Sequence, residues 1–266
     1  MVQAYRIRPL LQAYISAPMG VAFYLGDMRT LVTTGVFIWY IEGAEKKILI
    51  DAGMDAPGPN GLVHGFPAKG GGEKGTLEAL SSIGLKPKDI DTLIITHLHF
   101  DHTATLSLFD NARIYVQKKE WDFAHNPVPS SKATYDPKPI DTLDGMDLAL
   151  IDGEYELLPG IRLIPLPGHT KGLQGVAVET TKGTYLISSD HFYTYFNIKP
   201  PRQPIEFTDL AGNKITLQPS PLPFLPIGLH VDLSDWFESS YKALSITKRD
   251  MIIPGHDPGI VGKSFP

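Results

Sequence analysis

The segment His97-Leu98-His99-Phe100-Asp101-His102 places four metal-donor side chains within six residues. In extended backbone, side chains two apart point the same way, so His97, His99 and Asp101 can face one cavity. A turn after Asp101 lets His102 join them from the side. Imidazole and carboxylate together suit zinc, and also Fe, Mn or Co, whereas Ca or Mg prefers all-oxygen ligands. The chain has no cysteine, so any bound metal must be held by His, Asp or Glu.

Three further donors lie far away in sequence, and each follows an apolar, β-rich run. Thr92–Thr96 leads into the histidine cluster, and Ile161–Pro165 leads through Pro167-Gly168 to His169. Thr184–Ser188 leads to Asp190, and Asp250–Pro254 leads through Gly255 to His256. Strands that end in donors place those donors on one rim, where loops converge. Seven donors are too many for one tetrahedral site. Two cations sharing a bridging carboxylate would use them all: His97, His99 and His169 on one, Asp101, His102 and His256 on the other, with Asp190 between. A lone His169 or His256 would read as an ordinary structural histidine; their shared placement changes that reading. His125 is read as a helix-end residue, His230 as a loop residue, and His64 as lining the mouth of the site.

The elements that must position these donors alternate between strand and helix. Val36–Ile41 and Lys47–Ile50 read as paired strands closed by Asp51-Ala52-Gly53. A Gly- and Pro-rich loop spans Pro57 to Gly75, and Thr76 to Ile83 reads as a helix stopped by Gly84. Its Gly70–Thr76 stretch lacks the spacing of a phosphate-binding loop. Arg113–Val116 and Val176–Glu179 read as strands, Lys118–His125 as a helix, and Ser234 as the cap of a helix running to about Thr247. The sequence offers no internal repeat, and residues 1–266 read as one domain. Phe192–Leu233 is broken by seven prolines and reads as a cover over the site.

Composition narrows the function classes. Hydrophobic residues make up 42% of the 266, enough for a large core, and the net charge is -5 without a basic patch. Nucleic acid is therefore not an expected partner. No apolar run approaches the length of a membrane span, and Leu10–Ile15 is too interrupted for a secretory leader, so a cytoplasmic protein is expected. No G-x-S-x-G elbow is present, and Ser245-Ile246-Thr247-Lys248 lacks the companion motifs of a serine–lysine enzyme.

Taken together, Ile50-Asp51-Ala52-Gly53-Met54, Thr96 to His102, Pro167-Gly168-His169-Thr170, Ser189-Asp190 and Pro254-Gly255-His256-Asp257 resemble the metallo-β-lactamase superfamily, and within it the N-acyl-homoserine lactonases. The resemblance runs from about Val36 to Asp257. It implies an α/β fold, the four-layer αββα sandwich with two mixed sheets flanked by helices. It implies the same two-cation partition, with Asp51 steadying the ligands. It also implies hydrolysis of a small lactone or ester, with Asp101 passing a proton and Tyr193, three residues after the bridging aspartate, contacting the substrate. Gly61–Phe66 resembles the family's acyl-pocket loop, which makes Val63, His64 and Phe66 expected substrate contacts. Two departures stand out. Ala104-Thr105 replace a common Gly-Gly pair, and the Asp190-to-His256 segment is long, so substrate preference is expected to differ from that for long-chain lactones. Ester, thioester and cyclic-amide hydrolysis remain alternatives, as does a non-catalytic metal-binding role on the same fold. A homodimer is left open.

Overall fold

Alternation along the central strands decides the layers. In the computed structural model, which describes residues 4–266, Phe37, Trp39 and Ile41 on the strand Leu31–Glu42 point to one side and Ile38 and Tyr40 to the other. The same split divides Ile48 and Ile50 from Leu49, and Ile94 from Leu93 and Ile95. Both faces are apolar, so this sheet must be covered twice. An eight-stranded sheet results, running from Leu62–Val63 at one edge to Leu148–Ile151 at the other. Antiparallel pairing gives way to parallel pairing at Ile48–Ile50 against Thr92–Ile94.

A five-stranded sheet carries the second half. Ile161–Pro165, Gln174–Thr180 and Gly183–Ser189 pair antiparallel, and Ile252–Pro254 adds in parallel beside Gly183–Ser189. Ile161, Leu163, Val176, Val178, Ile187 and Ile253 meet Trp39, Ile41, Ile50 and Ile94 in one shared core between the sheets. Helices Gly72–Ser81, Lys118–His125 and Pro137–Leu143 flank the first sheet's other face, where Leu80, Ala124, Ile140 and Leu143 pack. Leu233–Ile246 flanks the second sheet through Trp236 and Ala243. The order is helix, sheet, sheet, helix, and both sheets are mixed.

Several expected elements differ in the fold. The strand Arg6–Pro18 pairs with Leu31–Glu42 along nearly its whole length, although its sequence is interrupted by polar residues. Gln12 explains part of this: it is buried, with Nε2 donating to the Met54 and Gly72 carbonyls. The helix expected from Thr76 begins at Gly72, and the strand Phe66–Gly70 occupies part of the expected loop. The cap of Leu233–Ile246 is Asp232 rather than Ser234, because the Asp232 carboxylate accepts from the Ser234 and Asp235 amides. Phe192–Leu233 is less irregular than its prolines imply, since Ile205–Thr208 and Lys214–Leu217 form a hairpin. Among the described residues, no helix is long and apolar enough to cross a membrane.

Candidate metal centre

Four strand ends meet at one rim. Thr92–Ile94 delivers the histidine cluster, where His99 precedes the short helix Phe100–Thr103. Gly168, at φ 134°, turns the chain toward His169 where a Cβ would lie 2.5 Å from the Trp236 Cα, so only glycine fits. Parallel pairing of Ser189 with Pro254 sets Asp190 beside His256. The first sheet thus supplies His97, His99, Asp101 and His102, and the second supplies His169, Asp190 and His256.

The donors fall into two buried groups, His97–His99–His169 and Asp101–His102–Asp190–His256, each with ligand atoms within 4.8 Å of one another. His169 Nε2 lies 3.2 Å from His97 Nε2 and 3.0 Å from His99 Nδ1. Asp190 spans both groups. Its Oδ2 faces His97 Nε2 at 3.8 Å and His169 Nε2 at 3.5 Å, while its Oδ1 faces His102 Nε2 at 3.2 Å and His256 Nε2 at 2.9 Å. Asp101 Oδ2 lies 3.7 Å from both His102 Nε2 and His256 Nε2.

Outer hydrogen bonds set which nitrogen faces inward. His169 Nδ1 donates to the Leu229 carbonyl at 2.7 Å, and His256 Nδ1 donates to the Gly35 carbonyl at 2.7 Å. His102 Nδ1 pairs with Asp51 Oδ2 at 2.8 Å. A carbonyl can only accept, so in the neutral ring the inward Nε2 carries the lone pair a cation needs. Asp51 is itself held by the Thr96 amide and hydroxyl. That matches the steadying role the resemblance implies for it.

Charge is concentrated and buried. Burial pulls His102 down, but Asp190, Asp101 and Asp51 outweigh it and hold the imidazole well above its ordinary value. Burial likewise opposes His256, and Asp190 raises it. Burial and the neighbouring imidazoles push His97 and His99 well below the usual histidine range. Asp190 resists its own burial because His256 and His102 hold its carboxyl well below the usual range. His102 Nε2 and Asp190 Oδ1 are buried, and their close contacts, with one another and between Asp190 Oδ1 and His256 Nε2, lack good hydrogen-bond geometry. Unpaired polar atoms of this kind are costly unless something charged lies between them. Two imidazole-and-carboxylate sets sharing one aspartate fit two divalent cations, and the absence of thiolate is compatible with Zn, Fe, Mn or Co.

Tyr193 lines the cavity above the donors, with its ring 5.2 Å from that of His256 and 5.8 Å from that of His169. Burial, then the Asp190 and Asp101 charges, raises its phenol well above the ordinary value, so it stays protonated. Phe66 also lines the cavity, with Ile15, Val32, Phe100 and Leu229. Val63 is buried behind that wall beside Phe100. His64 is exposed, stacks on Phe100 at 4.2 Å and bonds the Ala133 carbonyl, but does not line the cavity. His125 ends its helix, and His230 lies in a loop with Nδ1 against the Ile227 carbonyl.

Residues 31–256 match the metallo-beta-lactamase superfamily. The chain belongs to that superfamily. Among curated members, an N-acyl homoserine lactonase from Bacillus sp. is 32% identical over 178 residues, covering 64% of this chain and 68% of that protein. The lactonase AiiB of Agrobacterium fabrum is 30% identical over 190 residues, with the same shares covered. A solved N-acyl homoserine lactone hydrolase, holding N-hexanoyl-L-homoserine at its catalytic metal centre, superposes with a TM-score of 0.75 at 25% identity. That superposition covers 97% of this chain and 94% of the other. The sandwich described above is thus the metallo-β-lactamase fold.

Reading the sequence alone missed the residues that hold the ligands from outside. Glu120 is fully buried, with Oε1 accepting from the Leu98 amide and the Tyr135 hydroxyl, and Oε2 from the Thr170 hydroxyl and the Gly172 amide. It ties the His97–His99 loop to the His169 loop. Nothing in the sequence marks it, since a glutamate on an amphipathic helix is usually solvated. The Leu229 and Gly35 carbonyls carry no side-chain signal at all. Thr105, in place of the common glycine, is used: its hydroxyl donates to the Ala52 carbonyl at 2.6 Å.

Proposed function

We propose that this chain is a dinuclear-metal hydrolase that opens a lactone ring, with an N-acyl-homoserine lactone as the favoured substrate. The observation that carries the reading is Asp190, whose two oxygens divide between the two donor groups directly beneath Tyr193. The named relatives support the substrate class. Two divalent cations, zinc by first expectation, would supply activation of water and polarisation of the ester carbonyl.

The remaining work falls to the chain itself. His97, His99 and His169 would hold one cation, Asp101, His102 and His256 the other, with Asp190 shared. Tyr193, kept protonated by burial, would donate its O–H to the carbonyl oxygen as negative charge develops there. Asp101 Oδ2 faces the second group and would carry a proton from the attacking water to the ring oxygen as the C–O bond breaks. Water adds at the carbonyl carbon, the ring oxygen leaves as a hydroxyl, and the product is a hydroxy acid that ionises at neutral pH. The apolar walls at Ile15, Val32 and Phe66 would exclude bulk water. The reading places this reaction in the cytoplasm, with no nucleic-acid or membrane partner.

Ring opening releases a proton, so acidification of N-butanoyl-homoserine lactone by zinc-loaded protein is the direct test. Two metals per chain with chelator-sensitive acid release is the expected result. A chain that carries two metals and opens no lactone would overturn the lactonase reading.

A further inference from the structure

One buried histidine takes no part in either donor group. His191 follows the shared Asp190, stands two residues before Tyr193, and is fully buried, as are Trp236 and Ser240. The backbone beside it is strained. Ser189 sits at φ 47°, in the left-handed region that residues other than glycine rarely adopt. Such a conformation persists only where the surrounding contacts hold it. On one side the Ser189 hydroxyl bonds the Thr96 hydroxyl at 2.8 Å. On the other side stands His191.

Three contacts fasten His191 to the helix Leu233–Ile246. Its ring stacks on the Trp236 indole, with centroids 5.1 Å apart and planes 23° from parallel. Trp236 Nε1–H donates to the His191 carbonyl at 2.8 Å. Ring Nε2 lies 2.9 Å from Ser240 Oγ. The Ser240 hydroxyl donates to the Trp236 carbonyl, so its oxygen accepts and His191 Nε2–H is the donor. Nδ1 is buried and makes no hydrogen bond to the protein. One neutral hydrogen bond beside an unpaired buried nitrogen adds little net stability. What the Ser240 bond supplies is direction, because it fixes how the turn lies on the helix.

Everything this turn carries belongs to the site. Asp190 opens it and Tyr193 closes it, while the Gly255 and His256 amides donate to the Phe192 and Tyr193 carbonyls. The same helix grips the His169 loop. Trp236 packs where a Cβ on Gly168 would lie, and Ser239 Oγ donates to the Pro167 carbonyl at 2.7 Å. His169 Nε2 and Asp190 Oδ2, 3.5 Å apart, are thus both set by one helix, and His191 is the side chain that links Asp190 to it.

Resting on the two-cation reading, we infer that His191 is a positioning residue whose bond to Ser240 holds the strained turn, so that Asp190 spans both cations with Tyr193 above them. Two variants test this. Ser240→Ala removes the acceptor and leaves the turn free to relax. The double variant His191→Phe, Ser240→Ala keeps an aromatic ring on Trp236 and makes both partners apolar, a change that is nearly neutral for stability. Zinc- and cobalt-loaded forms are compared with the parent, each below its own melting temperature. In both variants kcat for N-butanoyl-homoserine lactone should fall about tenfold or more with KM little changed, as for other groups that orient metal ligands. The cobalt absorption spectrum should change in both, because a displaced Asp190 alters the ligand field. The melting temperature of the double variant should stay near the parent's, whereas a merely structural role would lower it and leave the spectrum alone.

Parental cobalt spectra in both variants overturn the inference. Should the double variant fail to fold, the spectrum of Ser240→Ala decides by the same criterion. A parent that loads two cobalt ions but opens no lactone counts against the lactonase reading alone, and the spectra still decide the role of His191. A parent that takes up no cobalt overturns the two-cation reading and this inference together.

Discussion

A single carboxylate serving two donor sets makes every contact around it consequential. Asp190 remains ionised inside the protein because His256 and His102 face its Oδ1, and its charge acts on the Tyr193 phenol more strongly than that of Asp101. The tyrosine therefore cannot ionise readily and is left as a donor. Replacing Tyr193 with Phe keeps the ring packed against His256 and His169 and removes only the O–H. Turnover of lactone should fall about a hundredfold, in line with the loss of about 3 kcal/mol seen when one oxyanion donor is removed. Zinc content, measured in the same preparation, should stay at the parent level. Unchanged turnover would take Tyr193 out of the mechanism, and lost zinc would reassign it to site assembly.

Strands, helices and their connecting loops show what the sequence could and could not reveal. The donors were legible because each follows an apolar run, and strand runs such as Ile161–Pro165 are set by burial on both faces, which composition records directly. Arg6–Pro18 was not legible, because its partners Leu31–Glu42 and Phe66–Gly70 lie elsewhere in the chain and its buried glutamine is satisfied only by tertiary bonds. The cavity walls at Ile15 and Leu229 were missed for the same reason. Glu120 belongs with these. Glu120→Gln preserves volume but turns an NH2 toward two donors on one side or the other, leaving them unpaired. Each unpaired buried group costs about 1–3 kcal/mol. The melting temperature should drop by several degrees, and zinc affinity at the His97–His99–His169 group should fall about tenfold, while the Asp101-containing group is spared. Cobalt substitution followed by absorbance titration separates the two groups. Equal weakening of both would mean that Glu120 only stabilises the fold.

Across the whole molecule, the site sits on the seam between the sheets, so whatever binds it joins the two halves. Bound cations should therefore raise global stability, and the pH dependence of that effect follows from the protons they displace. His102 and His256 are raised, so in the metal-free fold they favour the protonated form. Their contribution is present below the ordinary histidine value and is lost as pH rises through the raised one. His97 and His99 are depressed, so the fold gains nothing from their protonation and loses stability as pH falls below the ordinary value, where the unfolded chain takes up protons. Ligation requires neutral rings, and the two raised histidines must give up their protons to a cation. Each displaced proton makes affinity rise about tenfold per pH unit while that histidine remains protonated. The zinc-induced increase in melting temperature should then be larger at pH 7.5 than at pH 6. Scanning calorimetry of zinc-loaded and chelator-treated protein at both pH values measures it. An increase that is flat or shrinks toward pH 7.5 would show that the cations do not replace protons on His102 and His256, and would remove these two histidines from the ligand set.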